Sequence, residues 1–264
     1  MDRTDAFSIS ADTVYARLGT ATGPFLLDVR EPEEFDADGA QIVGAVRRPP
    51  ADAHLWRAQL PKGRVVVLYC QDGTGNSPRL TQWLIDSGVE AVFLAGGIDE
   101  WRRQSFATRR RTGQAPTQWV TRERPKVDRI ACPWLIRRFI DPEAIFYYMR
   151  PEDVRGFSAW SGAVPYDVDG AEFGHVGERC SFDAFLALFD IKDAALDRLA
   201  LIVRGADTGK PELTPQSPGL LALSQGLSMT IDDDLVQLEH GIVVYDALYA
   251  WCRAQGQTFG SSHG

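Results

Sequence analysis

A cysteine at the end of an apolar run is the first feature of the sequence that could carry chemistry. Cys70 follows "RVVVLY" and precedes the glycine-containing stretch "QDGTGNS". If a buried strand ends here and a helix begins after the glycines, loop amides and the positive end of the helix dipole surround the thiol. Both would stabilise the thiolate, which is the nucleophilic form of cysteine. We therefore predict a reactive Cys70 rather than a core residue that merely ends a strand.

The residues after Cys70 are expected to form a cradle for an anionic group. Glycines at 73 and 75 would allow positive φ angles and a close approach of the backbone to an anion. The predicted cradle, called the Cys70 loop below, consists of Gln71, Asp72, Gly73, Thr74, Gly75, Asn76 and Ser77.

The elements around this loop predict an α/β domain over residues 1–103. Continuous apolar runs at 25–30, 64–70 and 91–97 are typical of strands buried on both faces of a parallel sheet. The segment 77–88 has apolar residues at helical spacing and ends at a glycine, so strand, loop, helix and strand form a βαβ unit. The basic stretch 104–118 that follows is interpreted as a solvated interdomain linker.

The second half, 119–264, is predicted to be a mainly helical α+β domain. "WVTRE" and "AIFYYM" are typical of strands, and helical patterns dominate after Cys180. In the last of these, apolar residues at three- and four-residue intervals predict one buried face of a long helix. These residues are Leu235, Leu238, Ile242, Tyr245 and Tyr249.

Metal ligands are scattered through this half without a strong zinc spacing. "EFGHVGERC" contains Glu172 and His175 three residues apart with Cys180 five residues further on, and His240 lies on the long helical segment. Neither CxxC nor HxxxH is present, so a metal ion of unknown identity is one interpretation. The other is that each polar group is satisfied by ordinary hydrogen bonds.

Cys132 has two interpretations that the sequence leaves open. Pro133 suits the first position of a helix, which would make Cys132 an N-cap with an acidified thiol. Alternatively the helix begins near Asp128, and Cys132 is ordinary core packing. Nearby arginines and Lys126 give this region a basic face that could hold an oxyanion or lie in solvent.

Composition limits the classes of function. The formal charge of −8 and the pI near 5.1 argue against a chain whose main role is to bind nucleic acid. No apolar run approaches the roughly 20 residues of a membrane span. The first ten residues lack the apolar core of a signal peptide, and the four cysteines form no CxxC pair. We therefore expect a cytoplasmic protein with reduced thiols and no membrane partner.

Three ordered motifs in the first half resemble the rhodanese family. They are "LLDVREPEEFDADGAQIVGA", "VVVLYC" with its loop, and "LAGGIDEW". The resemblance implies that Cys70 accepts a sulfane sulfur as a persulfide and passes it to a thiol or another acceptor, without a cofactor. It also implies that Asp28 and Arg30 brace the Cys70 loop rather than react.

The length of the Cys70 loop leaves a second chemistry open. Ser77 lies one position further from Cys70 than the corresponding serine of ordinary rhodaneses. Rhodanese-fold phosphatases and arsenate reductases use such a longer loop to hold a tetrahedral oxyanion, with an arginine that clamps it. This chain has Asn76 at the arginine position, so sulfur transfer is the favoured prediction.

Four motifs in the second half resemble the chromate-resistance domain of ChrB-type proteins. They are "WVTRERPKVDRIACPWLIRRFIDPEAIFYY", "EFGHVGERCSF", "IVRGAD" and "YDALYAWCR". The resemblance implies a role in chromate resistance, with chromate as a candidate oxyanion ligand, or a chromate-responsive regulator whose rhodanese half is a sensor. The candidate functional residues that it implies are Asp128, Arg129, Cys132, His175, Cys180 and Asp207.

Overall fold

The computed structural model describes residues 6–111, 113 and 117–258. The chain forms two compact units. The first contains the described residues up to 113 together with Arg138–Pro142, and the second contains 117–137 and the described residues from Glu143 onward. Each unit is described by itself below.

The first unit is built on a five-stranded, wholly parallel sheet that contains β1 (Ser8–Ile9), β2 (Phe25–Asp28), β4 (Ala45–Arg47), β5 (Val66–Tyr69) and β6 (Ala91–Leu94). The strands lie in the order β1-β6-β5-β2-β4. The central strands are completely buried, which explains their continuous apolar sequence. The α/β architecture predicted for this half is confirmed. Two further strands of this unit, β3 (Ala40–Ile42) and β7 (Thr108–Arg110), pair with each other in a separate antiparallel sheet.

The helices of this unit contribute unequally to the core, in which residues of α3 (Ala53–Trp56) and α4 (Asn76–Asp86) pack with those of the sheet. The longest, α4, follows β5 and buries Leu80 and Leu84 against β2 and β5 side chains such as Leu27 and Leu68. It covers the segment in which the sequence predicts a helix. The helices are α1 (Ala11–Arg17), α2 (Pro32–Ala37), α3 (Ala53–Trp56), α4 (Asn76–Asp86) and α5 (Gly97–Arg103).

The predicted linker 104–118 is not solvated connecting chain throughout. Its residues Thr108–Arg110 form β7, which pairs antiparallel with β3. Arg109 in the middle of β7 is buried and donates to the carbonyl oxygen of Ala45 at 3.2 Å. The basic composition suggested exposure, but the aliphatic stem of an arginine can be buried while its guanidinium finds a carbonyl.

The second unit contains a small parallel sheet in the order β10-β8-β9. Its strands are β8 (Gln118–Arg122), β9 (Ile145–Met149) and β10 (Val164–Pro165). The first two are the strands that the sequence predicts on either side of the intervening helix. Val120 of β8 packs against Val154 and Ala163 in a small apolar cluster on this sheet.

Helices make up most of the second unit, as predicted. They are α6 (Val127–Leu135), α7 (Val154–Ser161), α8 (Ser181–Leu188), α9 (Ala194–Asp207), α10 (Ser217–Thr230) and α11 (Asp234–Thr258). The predicted buried face of α11 is confirmed at four positions, but Leu235 in its first turn is half exposed. Among the described residues, no helix is both long enough and apolar enough to cross a membrane.

Candidate functional site

The Cys70 thiol lies where β5 ends and immediately precedes the Cys70 loop. The residue is 3% exposed, and its Sγ lies 3.1 Å from the hydroxyl oxygen of Ser77 in the first turn of α4. The carbonyl oxygen of Cys70 accepts the N–H of Ile98 at 3.1 Å, which fixes the backbone. A thiolate here would therefore have a hydroxyl donor and the positive end of α4 beside it.

Gly73 in the Cys70 loop packs closely against the "GG" pair, Gly96 and Gly97, that follows β6. Gly97 has φ +57°, and a Cβ there would lie 2.5 Å from the carbonyl oxygens of Cys70 and Gln71. Gly73 has φ +79°, and its Cβ would lie 2.7 Å from the amide nitrogen of Gly96. The two backbone segments touch so closely that side chains at 73 and 97 would push them apart.

The expectation of positive φ is met at Gly73 but is wrong at Gly75. Gly75 has φ −88°, because it precedes the first residue of α4 rather than turning the loop. A Cβ at Gly75 would lie 3.9 Å from the Cys70 Sγ, an ordinary contact distance. The backbone at Gly73 packs closely against Gly96, whereas the sequence predicts a close approach to a bound anion.

The side chain of Asn76 connects the Cys70 loop to the segment that follows β2. Its Nδ2 donates to Oε1 of Glu31 at 2.7 Å and to the carbonyl oxygen of Val29 at 3.4 Å. Its Oδ1 accepts from Arg79 at 2.8 Å. Both donor hydrogens of the amide are thus used away from the thiol. Asn76 cannot replace the anion-clamping arginine, so this geometry counts against phosphatase or reductase chemistry.

The rest of the Cys70 loop is held by short polar contacts and reaches solvent. Gln71 donates to Oδ1 of Asp99 at 2.6 Å, and Asp72 accepts both the N–H and the hydroxyl of Thr74 at 2.9 Å. The hydrogen bonds from Thr74 lower the pKa of Asp72. Asp72, Thr74 and Gly75 are exposed, so the loop is ordered but open on one side.

Asp28 and Arg30 form a closed, buried ion pair near the end of the strand that carries Cys70. The Arg30 guanidinium donates to Oδ2 of Asp28 at 2.6 Å and to Oδ2 of Asp38 at 2.7 Å. The Tyr69 hydroxyl also donates to Asp28, at 2.8 Å. These contacts brace Tyr69, the residue before Cys70, whereas the resemblance implied that the pair braces the loop itself.

A second group of charged side chains converges in the second unit on the imidazole of His175. We call it the carboxylate–histidine cluster, and it contains Asp128, Asp167, His175 and Asp207. Nε2 of His175 lies 3.1 Å from Asp207 Oδ2, 3.4 Å from Asp167 Oδ1 and 3.5 Å from Asp128 Oδ2. Ligand atoms of Asp128, His175 and Asp207 all lie within 4.8 Å of one another.

Each member of the cluster is positioned by a different element. Asp128 is in the first turn of α6 and Asp207 is the last residue of α9. Asp167 follows β10 with φ +50°, a conformation that aspartate tolerates better than most residues. His175 precedes a tight turn closed by paired backbone hydrogen bonds between Val176 and Arg179.

The three carboxylates differ in how well they are neutralised. Asp167 is flanked by Arg122 at 3.2 Å and Arg129 at 3.4 Å, and it accepts the Ser181 hydroxyl at 3.0 Å. Asp128 is 1% exposed and accepts the N–H of Ser181 through Oδ2 at 2.6 Å. Its other oxygen, Oδ1, is buried and has no hydrogen-bond partner among the described residues. A buried carboxylate oxygen without a hydrogen bond is costly, so Asp128 differs in this respect from Asp167.

The pKa values of the cluster follow from this crowding. Its hydrogen bond with Asp128 raises the pKa of His175 to about 9, despite opposing desolvation. Burial, and then the neighbouring charges of Asp128 and Asp167, raise the pKa of Asp207 to about 7. Burial likewise raises the pKa of Asp128. The carboxylates are thus poorly compensated by His175 alone.

Cys132 and Cys180 lie in the core behind this cluster. α6 begins at Val127, so Cys132 is inside the helix and the N-cap interpretation is wrong; the core-packing alternative is confirmed. Both cysteines are fully buried, and burial raises the pKa of each thiol. Neither has the environment of a nucleophile.

Pro133 within α6 has a specific compensation. A proline lacks the N–H that would bond the carbonyl oxygen four residues earlier, here that of Arg129. The hydroxyl of Tyr148 on β9 donates to that oxygen at 2.9 Å instead. This bond lets α6 continue through Pro133 while it holds Arg129 beside Asp167.

The second unit also determines the family. The sequence model described as "ChrB, C-terminal domain" matches residues 119–252, just over half of the 264 residues. The chain belongs to the ChrB family. "Protein ChrB" of Cupriavidus metallidurans is 36% identical over 169 residues, which cover 64% of this chain and 51% of that protein. The chain thus spans about half the length of this relative.

The first unit of this ChrB-family chain contains a rhodanese-like domain. The corresponding sequence model matches residues 10–104. A protein named "Sulfurtransferase" from Allochromatium vinosum is 31% identical over 99 residues, which cover 37% of this chain and 90% of that protein. A rhodanese-related protein from Thermoplasma volcanium is 24% identical in structural alignment, covers 38% of this chain and 95% of its own, and has a TM-score of 0.34.

The ChrB domain brings together most of the residues that its motifs indicated. Asp128, His175 and Asp207 form the centre of the cluster, and Arg129 lies at its edge. Glu172 and His240, the other two candidate metal ligands, are exposed and lie outside the group of ligand atoms.

Asp167 was missed by sequence reasoning. It follows the short strand β10, and Arg122, its ion-pair partner, ends the neighbouring parallel strand β8. Polar residues at the carboxyl ends of parallel strands commonly face a ligand site. That position was the available signal, but β10 has only two residues and was too short to recognise.

Proposed function

We propose that this chain is a sulfurtransferase that carries sulfane sulfur as a persulfide on Cys70. The observation that carries the proposal is the position of the thiol at the end of β5, 3.1 Å from the Ser77 hydroxyl and beside the first turn of α4. The rhodanese-like domain and the similarity to a protein named sulfurtransferase support it. We place the reaction in the cytoplasm, since four free cysteines fit a reducing compartment.

The proposed reaction has two balanced steps. In the first, the Cys70 thiolate attacks the outer sulfur of a donor such as thiosulfate, a new S–S bond forms, and sulfite leaves with the electron pair of the broken bond. In the second, an acceptor thiolate attacks the terminal sulfur of the persulfide and regenerates the Cys70 thiolate. Loop amides, the Ser77 hydroxyl and the α4 dipole would stabilise the anionic persulfide.

The longer Cys70 loop is compatible with this chemistry because it lacks a clamp for a doubly charged oxyanion. Asn76 directs its donors to Val29 and Glu31, and Asp72 adds a negative charge on the exposed side. A persulfide is a compact single charge, for which neutral donors suffice. We therefore do not propose phosphatase or oxyanion-reductase activity.

Intact-protein mass spectrometry after incubation with thiosulfate tests the assignment. We expect the wild type to gain the mass of one sulfur atom, and Cys70→Ser to gain nothing. Cys252→Ser, which changes another buried thiol in α11, is the matched control and should behave as the wild type. Equal labelling of Cys70→Ser and wild type would refute the proposal.

Membership in the ChrB family supports a role for this sulfur chemistry in chromate resistance. Chromate consumes cellular thiols and is a structural analogue of sulfate. Persulfide transfer and chromate defence therefore both use the cellular thiol pool. The test is growth of a deletion strain complemented with wild type or Cys70→Ser over a chromate series. We expect only the wild type to restore tolerance; full restoration by Cys70→Ser would separate the resistance from sulfur transfer.

A further inference from the structure

We propose that the second unit binds one divalent metal ion of the Mn²⁺ or Zn²⁺ type between Asp128, His175 and Asp207. Nothing in the sulfur chemistry of Cys70 requires this ion, so it is a separate property of the chain. Three independent features of the carboxylate–histidine cluster carry the inference: the spacing of its ligand atoms, its unbalanced charge, and the unpartnered oxygen of Asp128.

The spacing matches that of atoms bound to one ion. Metal–ligand bonds of about 2.1 Å place neighbouring ligand atoms about 3.0 Å apart in an octahedron and about 3.4 Å apart in a tetrahedron. Nε2 of His175 lies 3.1 Å from Asp207 Oδ2 and 3.5 Å from Asp128 Oδ2. One ligand atom from each of Asp128, His175 and Asp207 lies within 4.8 Å of the other two, so a single ion can reach all three residues with little movement.

Hydrogen bonds do not account for the convergence on one nitrogen. Nε2 of His175 carries at most one hydrogen, but oxygens of Asp128, Asp167 and Asp207 all lie 3.1–3.5 Å from it. Arg122 and Arg129 offset the charge of Asp167 only. Asp128 and Asp207 therefore keep up to two negative charges against at most one positive charge. A divalent ion with a neutral imidazole ligand would balance them.

The buried oxygen of Asp128 points independently to a ligand. Asp128 is 1% exposed, and in the described part of the chain its Oδ1 has no hydrogen-bond partner, although Oδ2 accepts the N–H of Ser181 at 2.6 Å. The hydrogen bond to Oδ2 thus fixes the orientation of the carboxylate, and Oδ1 remains able to accept a bond from a ligand. Its backbone N–H donates to Asp207 Oδ1 at 3.3 Å, which orients the second carboxylate as well.

The donor set selects the class of ion. Two carboxylates and one imidazole suit Mn²⁺ or Zn²⁺ better than a soft ion. Although Cys132 and Cys180 lie behind the cluster, neither belongs to the group of ligand atoms. The side chain of His175 is 43% exposed, which gives the ion a path in and leaves room for water in its remaining positions.

The experiment uses the full chain after removal of metals with a chelator. Calorimetric titration with MnCl₂ or ZnCl₂, tested separately, should show one ion per chain. His175→Gln and Asp207→Asn should each weaken binding by about tenfold or more. The matched controls are His240→Gln and Glu172→Gln, which change the same residue types outside the cluster and should leave the affinity within twofold, about 0.4 kcal/mol.

A spectroscopic readout on the unaltered protein removes any dependence on the folding of variants. Mn²⁺ bound to the wild type should show a nitrogen hyperfine coupling in pulsed electron paramagnetic resonance, which identifies an imidazole ligand. Absence of this coupling would overturn the proposal. So would failure of both ions to bind, or binding that His175→Gln and Asp207→Asn leave unchanged. The thiosulfate labelling of Cys70 gives the same result in either case, so the two proposals fail separately.

Discussion

Each unit of the molecule contains a group of carboxylates around a buried aspartate, and the two groups differ in how completely their negative charges are paired. In the first unit Asp28 is bonded to Arg30 and Tyr69, and the remaining guanidinium hydrogens reach Asp38 and the carbonyl of Ala40. In the second unit three carboxylates share one histidine, and the guanidinium groups of Arg122 and Arg129 pair with Asp167.

The difference shows how a structural ion pair can be told from a binding site. The Asp28 group satisfies its own charges and is inaccessible, so it holds a strand end in place. The carboxylate–histidine cluster has uncompensated charge, an orphan oxygen and an exposed imidazole. A protein tolerates such an arrangement where a ligand completes it.

Removal of Asp28 should have the largest effect, because it leaves the Arg30 charge buried without its main partner. We expect Asp28→Ala to lower the free energy of unfolding by about 3–5 kcal/mol. Urea denaturation of the full chain measures it. As a control, Asp36→Ala removes a largely exposed partner of Arg111 and should cost less than about 1 kcal/mol. Equal effects of the two variants would show that the Asp28 group is not a closed structural pair.

Gly97→Ala should come next and acts on the Cys70 loop. The new methyl group would meet the carbonyl oxygens of Cys70 and Gln71 at 2.5 Å on a backbone with φ +57°. We expect a loss of about 2–3 kcal/mol of stability and a large decrease in the rate of thiosulfate labelling. Gly88→Ala has a similar φ of +80° but meets nothing within 4 Å, so it isolates the backbone strain. If both variants label equally slowly, the contact beneath the loop is unimportant.

Asp207→Asn should change stability in opposite directions with and without metal. The pKa of Asp207 is raised to about 7, so at pH 8 in chelator-treated protein this residue is ionised beside two other carboxylates. Because its pKa is higher in the folded state than in the unfolded state, this ionisation lowers the stability of the folded protein. We expect Asp207→Asn to stabilise that form by about 1–2 kcal/mol. With Mn²⁺ present, the loss of a ligand should make the variant less stable than the wild type.

Thermal denaturation with and without chelator provides the measurement for Asp207→Asn. Glu172→Gln, with an exposed carboxylate outside the cluster, should show no change of sign. If Asp207→Asn destabilises the metal-free protein, the carboxylate–histidine cluster is a structural group that satisfies its own charges, as the Asp28 group does.

Tyr148→Phe should have the smallest effect, about 1–2 kcal/mol, since it removes one hydrogen bond to the Arg129 carbonyl. Pro133→Ala supplies a backbone N–H that can bond the same oxygen. The double variant should therefore lose less stability than the sum of the single changes. Chemical denaturation of the four proteins measures the coupling. Additive changes would mean that the Tyr148 hydroxyl does not compensate for Pro133.

The first site follows from sequence because its parts are close together in the chain. Cys70, the loop and α4 are consecutive, so a strand-to-helix pattern is enough to place the thiol at a helix start. What the sequence could not give were the contacts across the chain. Asn76 faces Val29 and Glu31, and Gly73 packs on Gly96, because β2 and β6 both flank β5.

The second site was predicted only in part because its members come from distant segments. Motif resemblance indicated Asp128, His175 and Asp207, but periodicity alone does not bring them together. Asp167 was absent from the candidates because its strand has two residues, and Glu172 was included because it is near His175 in sequence. Proximity in sequence was misleading here, since Glu172 is exposed and lies outside the group of ligand atoms that contains His175.

Strand β7 determines where the rhodanese-like domain can be separated from the rest of the chain in a fusion protein. The rhodanese-like match ends at 104, but the chain then returns to pair with β3, and the Trp101 indole donates to the Ala107 carbonyl at 2.9 Å. A fusion that ended at 104 would leave an unpaired strand edge, which is prone to aggregation, and a buried indole without its acceptor. A recombinant that replaces the rhodanese-like domain of this chain should therefore be joined after Arg110, so that β7 stays with the strand it pairs with.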